Sequence, residues 1–206
     1  MSRYRSLPAS FYRHPTEQVA RELLGRFLVR RLDGQKLVVR IVETEAYLGR
    51  QDRASHAWQG RRTARNASLY EAVSVAYVYF IYGMYNCLNA VSGEADEGGA
   101  VLIRAAEPLL GTETMTPLRG LKRPPRPGDL AGGPGKLCQA LAIDKRLDGV
   151  SLTRGALRIT RGEPIDADSV ATGRRIGIDY AGQAAEWPLR FAIQGNRHVS
   201  RPFPWN

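Results

Sequence analysis

The sequence predicts an α+β fold, a single domain over residues 1–206 with a curved, largely antiparallel β-sheet, flanking helices and a protruding β-hairpin. Two hairpin patterns carry most of this reading, one turning at Asp33-Gly34 and one at Gly83-Met84. Helical and strand patterns follow one another in mixed order, which favours helices packed on an antiparallel sheet. A length of 206 residues with 43% hydrophobic side chains supports one sizeable core, and no internal repeat or linker composition divides it.

Thr16 follows Pro15 and leads Val19, Ala20, Leu23 and Leu24 at helical spacing, with Gly25 placed to close the helix. Arg26 to Leu32, Asp33-Gly34 and Lys36 to Tyr47 form the first hairpin, because Asp-Gly suits the positive φ of a type I′ turn. Period two puts Val39, Ile41, Glu43, Glu45 and Tyr47 on one face of its second strand, and Val38, Val42 and Thr44 on the other. The second hairpin, Val75 to Tyr82 and Tyr85 to Val91, is almost wholly β-branched or aromatic in its first strand. A two-residue Gly83-Met84 turn pairs Tyr82 with Tyr85 and Val78 with Asn89, and so sends Asn89 to the face opposite Tyr79. Ala100 to Arg104 reads as a strand and Glu107 to Leu118 as a helix. Residues 119–135 form a loop rich in Pro, Gly and basic residues, ending Gly132-Gly133-Pro134-Gly135, and Lys136 to Ala142 is a helix. Val150 to Leu152, Ala156 to Thr160 and Leu189 to Gln194 supply the remaining strands before an irregular tail, Pro202-Phe203-Pro204-Trp205.

Composition excludes several classes. No apolar run approaches the ~20 residues that span a bilayer, and the start, Met1-Ser2-Arg3-Tyr4-Arg5, has no apolar signal core. A soluble, cytoplasmic protein is expected. Cys87 and Cys138 read as small core residues in a reducing compartment. Three histidines (His14, His56, His198) and two cysteines are too scattered for a zinc site, so no metal is expected. Gly135-Lys136 lacks the upstream glycine of a phosphate loop and is followed by Leu137, so nucleotide hydrolysis is not expected. No cofactor is expected. The formal charge of +10 favours a polyanionic partner such as nucleic acid.

Two places could carry chemistry. In Val42 to Gly49 a carboxylate ends a strand beside Tyr47, with His56 a short loop away, although both glutamates could equally be solvated strand-end positions. At the second hairpin's tip Tyr82, Met84 and Tyr85 have nothing of their own to pack against. They either tuck under a neighbouring loop or drive into a base stack. Arg61, Arg62 and Arg65 read as a phosphate-binding or merely solvated loop, and His56 alone as a loop histidine bonded to backbone.

Glu43-Thr44-Glu45-Ala46-Tyr47, the Tyr77 to Tyr85 hairpin, Arg104 within Leu102 to Pro108, and Gly133 to Ile143 together resemble the alkyladenine (3-methyladenine) DNA glycosylase family, in matching order from about Thr16 to Gly195. The resemblance implies a monomeric, metal-free enzyme acting on double-stranded DNA that contains damaged purines, flipping the base out and cutting its N-glycosidic bond with water. It makes Glu45 the water-activating base, with Arg104 and the backbone of Ile193 helping to hold the water. Tyr47, His56 and Tyr79 become the rings around the extruded base, and Asn89 the side chain that screens its edge. Tyr82 becomes the intercalating wedge, while Arg61, Thr63, Arg65, Met84, Tyr85 and Lys136 fall at DNA contacts. Where the family carries Pro-Gly this chain has Val73-Ser74, which would rather extend than reverse. A DNA-binding module without catalysis is the rival reading, and a lysine nucleophile among Lys122, Lys136 and Lys145 the rival mechanism.

Overall fold

The computed structural model describes residues 4–163 and 165–203. Its strands are β1 (Phe27–Leu32), β2 (Gln35–Tyr47), β3 (Ala76–Ile81), β4 (Tyr85–Val91), β5 (Ala100–Leu110), β6 (Leu157–Thr160), β7 (Val170–Gly173) and β8 (Arg190–Ile193). Its α-helices are α1 (Thr16–Glu22), α2 (Thr112–Leu118) and α3 (Pro134–Ala140). The strands join in one curled antiparallel sheet, ordered β3-β4-β5-β2-β1-β6, with β8 pairing both β2 and β7. Pro204 and Trp205 of the expected tail lie outside the described residues.

Helix α1 buries Val19 and Ala20, and the chain leaves it at Gly25 with φ +78°, where an added Cβ would meet the Glu163 carbonyl at 2.2 Å. The first hairpin turns as expected, with Asp33 and Gly34 both at positive φ and Leu32 opposite Gln35. Strand β2 then becomes the middle of the sheet. Its first half lies between β1 and β5, and its Glu43–Glu45 stretch between β8 and β5. Glu45, two residues before the end of β2, therefore has a strand on each side.

The face assignment of β2 needs correction. Its register with β5 passes over Val42 and Arg104, a local bulge that turns the strand by one residue. Val39 and Ile41 join the main apolar core, but beyond the bulge Ala46 does so, and the Thr44 hydroxyl donates to the Ala20 carbonyl at 2.8 Å. Glu43, Glu45 and Tyr47 consequently face away from that core. Cross-strand pairing also overrides the helix expected from Glu107: β5 runs on to Leu110, pairing Glu107 with Arg40 and Leu110 with Val38. Gly111, at φ +87°, ends the strand, and only Thr112–Leu118 is helical. Strand β7 carries no period-two pattern strong enough to predict it.

The second hairpin differs by one residue from its expected register. Tyr82 and Gly83 both take positive φ, and Ile81 faces Tyr85 across a three-residue loop. Tyr77 thus opposes Asn89 and Val78 opposes Leu88, which brings Asn89 to the same side as Tyr77 and Tyr79. The conflict between Asn89 and Tyr79 disappears. Glycine at position 135 lets the Tyr85 ring lie on the start of α3, since a Cβ there would meet the ring at 2.9 Å.

Val73-Ser74 does reverse, contrary to the expectation that it extends. Ser74 adopts φ +70°, its N–H donates to the Val91 carbonyl at 2.9 Å, and its carbonyl accepts from Leu152 at 2.8 Å. These bonds hold a non-glycine residue in a left-handed conformation that costs about 1–2 kcal/mol. Glycine there loses about 0.5–1 kcal/mol to its freer unfolded chain. Ser74→Gly is expected to raise the thermal midpoint slightly, and a lowered midpoint in a melting scan would show that the serine is not strained.

Candidate active site

A cavity of about 480 Å³ opens between the second hairpin, the loop carrying His56 and the segment 176–180. Tyr47, His56, Tyr77 and Tyr79 line its sides, and Asn89, Ala100, Leu102 and Arg104 come from β4 and β5. Tyr82, Tyr85, Gly135, Tyr180 and Arg201 also line it, toward the exposed hairpin end. Strand alternation explains much of this: Tyr77 and Tyr79 share a side of β3, and Leu102 and Ala100 are the β5 partners of Glu45 and Tyr47.

Glu45 lies directly behind this wall with 0% exposure. Its Oε1 accepts the Ile176 N–H at 2.8 Å and lies 3.3 Å from Nη1 of Arg104, and its Oε2 accepts the Tyr47 hydroxyl at 2.9 Å. Each of these three donors belongs to a cavity-lining residue. The solvated reading of the glutamates is therefore wrong. Glu43, also fully buried, accepts from Nε of Arg104 at 3.2 Å, Nε of Arg190 at 2.7 Å, and the N–H and hydroxyl of Ser200 at 2.6 and 3.0 Å. Arg104 is held between two carboxylates. Burial works against its charge, yet Glu45 and Glu43 outweigh that and keep its pKa above the ordinary value.

His56 packs edge-on to Tyr79, with ring centroids 4.6 Å apart, and its Nδ1 lies 2.7 Å from the Tyr77 hydroxyl. Asn66 clasps its loop, donating to the carbonyls of His56 and Arg61 and accepting from the Thr63 N–H and hydroxyl. Burial, reinforced by Arg65 and Arg61, lowers the His56 pKa and keeps the ring neutral at pH 7. Burial pushes the phenols of Tyr47, Tyr77 and Tyr79 up, so all three stay protonated donors.

The histidine shift has a measurable sign. A folded-state pKa below the unfolded value near 6.5 means that the unfolded chain binds the proton first, so stability is present above that value and is lost as pH falls through it. Burial lowers the pKa of His198 as well. Between about pH 7.5 and 6, above the carboxylate range, the urea midpoint is expected to fall. His56→Gln should flatten part of that slope; an unchanged slope would show that His56 is not held neutral.

The remaining expected DNA contacts are spread along the hairpin and its neighbours. Tyr82 is 75% and Met84 62% exposed, so the tip does not tuck under a loop, and Tyr85 is partly covered by α3. Arg61 and Thr63 are exposed, and the exposed Arg65 donates to the Phe80 carbonyl at 2.8 Å with its guanidinium 5.7 Å over the Tyr79 ring. Lys136 reaches back to the Gly128 carbonyl at 3.2 Å. Ile193 does not line the cavity, and its carbonyl accepts the Asn196 N–H at 3.3 Å.

Sequence reasoning missed Arg190, Ser200, Ile176 and the buried Asp52–Arg175 pair. Only Glu43 left a local sign, its two-residue spacing from Glu45. The others come together over separations of 123 to 157 residues, which no local pattern encodes. Among the described residues, no helix is long and apolar enough to cross a membrane, and no cluster of His, Cys, Asp and Glu could hold a metal ion.

An aromatic cavity backed by buried carboxylates and arginines thus lies beside a bare aromatic hairpin tip on a basic protein. Residues 10–197 match the family described as methylpurine-DNA glycosylase (MPG). The chain is 44% identical to a protein of Clostridium botulinum named "Putative 3-methyladenine DNA glycosylase", over 95% of this chain and 98% of that one. It is 45% identical to a protein of the same name from Methanocella arvoryzae, over 96% and 97% of the two chains. It is 46% identical to the "DNA-3-methyladenine glycosylase" of Mus musculus, over 94% of this chain and 61% of the mouse protein. The chain belongs to the methylpurine-DNA glycosylase family, and so to the hydrolases of N-glycosyl bonds that serve DNA repair.

Proposed function

We propose that residues 1–206 form one monofunctional glycosylase domain that, as a monomer, flips an alkylated or deaminated purine from duplex DNA into the cavity and hydrolyses its glycosidic bond. The substrates are of the 3-methyladenine, 7-methylguanine, hypoxanthine and ethenoadenine class. The observation that carries this reading is the fully buried Glu45, whose donors Tyr47, Arg104 and Ile176 all line the cavity.

Tyr82 is the wedge. Extruding a nucleotide costs a few kcal/mol of stacking and pairing, which an inserted ring offsets. Tyr47, His56 and Tyr79 then restack the base, and a cationic purine gains on the order of 0.5–2 kcal/mol for each well-placed π face. Asn89 donates to the Tyr77 carbonyl at 3.1 Å, which fixes its amide against the purine edge. Arg61, Thr63, Arg65, Met84, Tyr85 and Lys136 hold the flanking strands.

A carboxylate has about four acceptor positions. Glu45 fills two on Oε1 and one on Oε2. The remaining Oε2 position takes a water proton. Water oxygen bonds to C1′ as the C1′–N bond breaks, its proton passes to Glu45, and the bonding pair leaves with the base. A cationic base departs neutral; a neutral base departs with the pair as an anion and takes up a proton from solvent water. The backbone of Ile193, on the strand that carries Arg190, helps to hold the attacking water.

No lysine is among the cavity-lining residues described, and Lys145 is engaged by Asp148 at 2.7 Å, which disfavours an amine nucleophile. Duplexes carrying single 3-methyladenine, hypoxanthine or ethenoadenine residues test the proposal. Free base and strand breaks only after alkali support it. Binding without base release would leave the DNA-binding module as the reading, and a borohydride-trapped adduct would favour lysine.

A further inference from the structure

Arg175 sits where a cation is least expected. Its side chain and that of Asp52 are both fully buried, and its two terminal nitrogens engage both oxygens of Asp52. Nη1 also donates to the Ala46 carbonyl at 2.9 Å and Nη2 to the Ala184 carbonyl at 3.0 Å, while Nε is buried with no partner among the described residues. Asp52 in turn accepts the N–H groups of Leu48 and Ala54, each at 3.0 Å. The guanidinium carbon lies 4.8 Å from the Tyr47 ring centroid. Tyr47 lines the cavity and Arg175 does not, so the guanidinium reaches a face of the ring from outside the cavity lining.

A buried ion pair with an unsatisfied nitrogen is a poor way to stabilise a fold, since apolar side chains of similar volume often do as well or better. Its placement instead has an electrostatic consequence. A cation on one face of a π system draws on the same quadrupole that would attract a cation on the other. Asp52 offsets part of that charge, but the guanidinium is the group stacked on the ring.

We propose that Arg175 is a specificity-determining residue, which through Tyr47 weakens the pocket's preference for cationic purines and so admits neutral ones. This rests on the glycosylase reading, with the base stacked on Tyr47. A merely structural Arg175 would affect all substrates alike, whereas a charge behind the ring separates them by charge.

The test is the ratio of single-turnover release rates for 7-methylguanine, a cation, and hypoxanthine, which is neutral, in one duplex context. A ratio within one preparation does not depend on how much of the protein is folded. In Arg175→Met, which leaves Asp52 unopposed, the ratio is expected to rise roughly threefold to tenfold over wild type, the scale of one cation–π contact. The double variant Asp52→Leu/Arg175→Met replaces the pair with apolar groups, keeps the test available should the single variant fail to fold, and is expected to show a smaller rise. An unchanged or lowered ratio in active variants overturns this inference alone. Wild-type protein that releases neither base overturns the glycosylase reading, and this inference with it.

Discussion

Glu45→Gln is expected to lower base release from a lesion-bearing duplex by about 10²–10⁴-fold, the usual contribution of a positioned general base. The amide keeps the shape of the carboxylate and leaves the cavity intact, so affinity for an abasic-site analogue should survive. The two readouts must separate. Loss of both would mark Glu45 as a structural residue, because it accepts from the Ile176 N–H, the Tyr47 hydroxyl and Arg104. Unchanged turnover would dismiss it as the base.

Glu43→Ala is expected to have the larger effect on stability. Glu43 is the shared anion for Arg104 and Arg190, and it also accepts two bonds from Ser200. Removing it leaves the buried Arg190 guanidinium without a carboxylate and takes one of the two carboxylates from Arg104, which keeps Glu45. Breaking a buried pair in this way costs about 3–5 kcal/mol, and at roughly 2–4 °C per kcal/mol for a domain of this size the thermal midpoint should fall by about 6–20 °C. Activity should fall too, since the Nε of Arg104 loses its carboxylate and keeps only the Ser200 hydroxyl at 3.4 Å, which loosens the guanidinium beside Glu45. A midpoint within a degree or two of wild type would show that Arg104 and Arg190 find other partners and that Glu43 is not the hub. The Ser200 bonds make the segment before the C-terminus part of this network, and Arg201 extends it by accepting from Arg190 at 2.7 Å through its carbonyl.

Much of the fold was legible because local chemistry and tertiary structure agree. Asp33-Gly34 demands the turn it makes, and the unbroken aromatic and β-branched run from Tyr77 to Ile81 is that of a strand, with Val78 in the main core and Tyr77 in a second apolar cluster. The misses occur where long-range pairing decides. Glu107–Leu110 became strand because β2 offers it a partner, and Ser74 turns left-handed because Val91 and Leu152 hold its backbone. A bulge adds no residue type that marks it, so the face switch at Val42 could not be read from period two. Yet that switch separates Glu45 and Tyr47 from the core residues Val39 and Ile41 and turns them toward the cavity.

The site follows the same division. The aromatic walls and the exposed tip were readable, since bulky side chains at a hairpin corner have no local partner. Asn89 shared a cavity with Tyr79 only after the three-residue loop reset the register. Arg190 and Arg175, which pair with Glu43 and Asp52, were invisible, because a basic chain offers many candidates and burial alone selects among them.

Whether a purine leaves its helix and comes to rest against Tyr47, His56 and Tyr79 with its sugar beside Glu45 is measured directly by a crystal structure of Glu45→Gln bound to a duplex with a single hypoxanthine. The expected result is the hypoxanthine in the cavity and Tyr82 in the gap it left. A hypoxanthine still stacked in the duplex, with Tyr82 outside the helix, would contradict it.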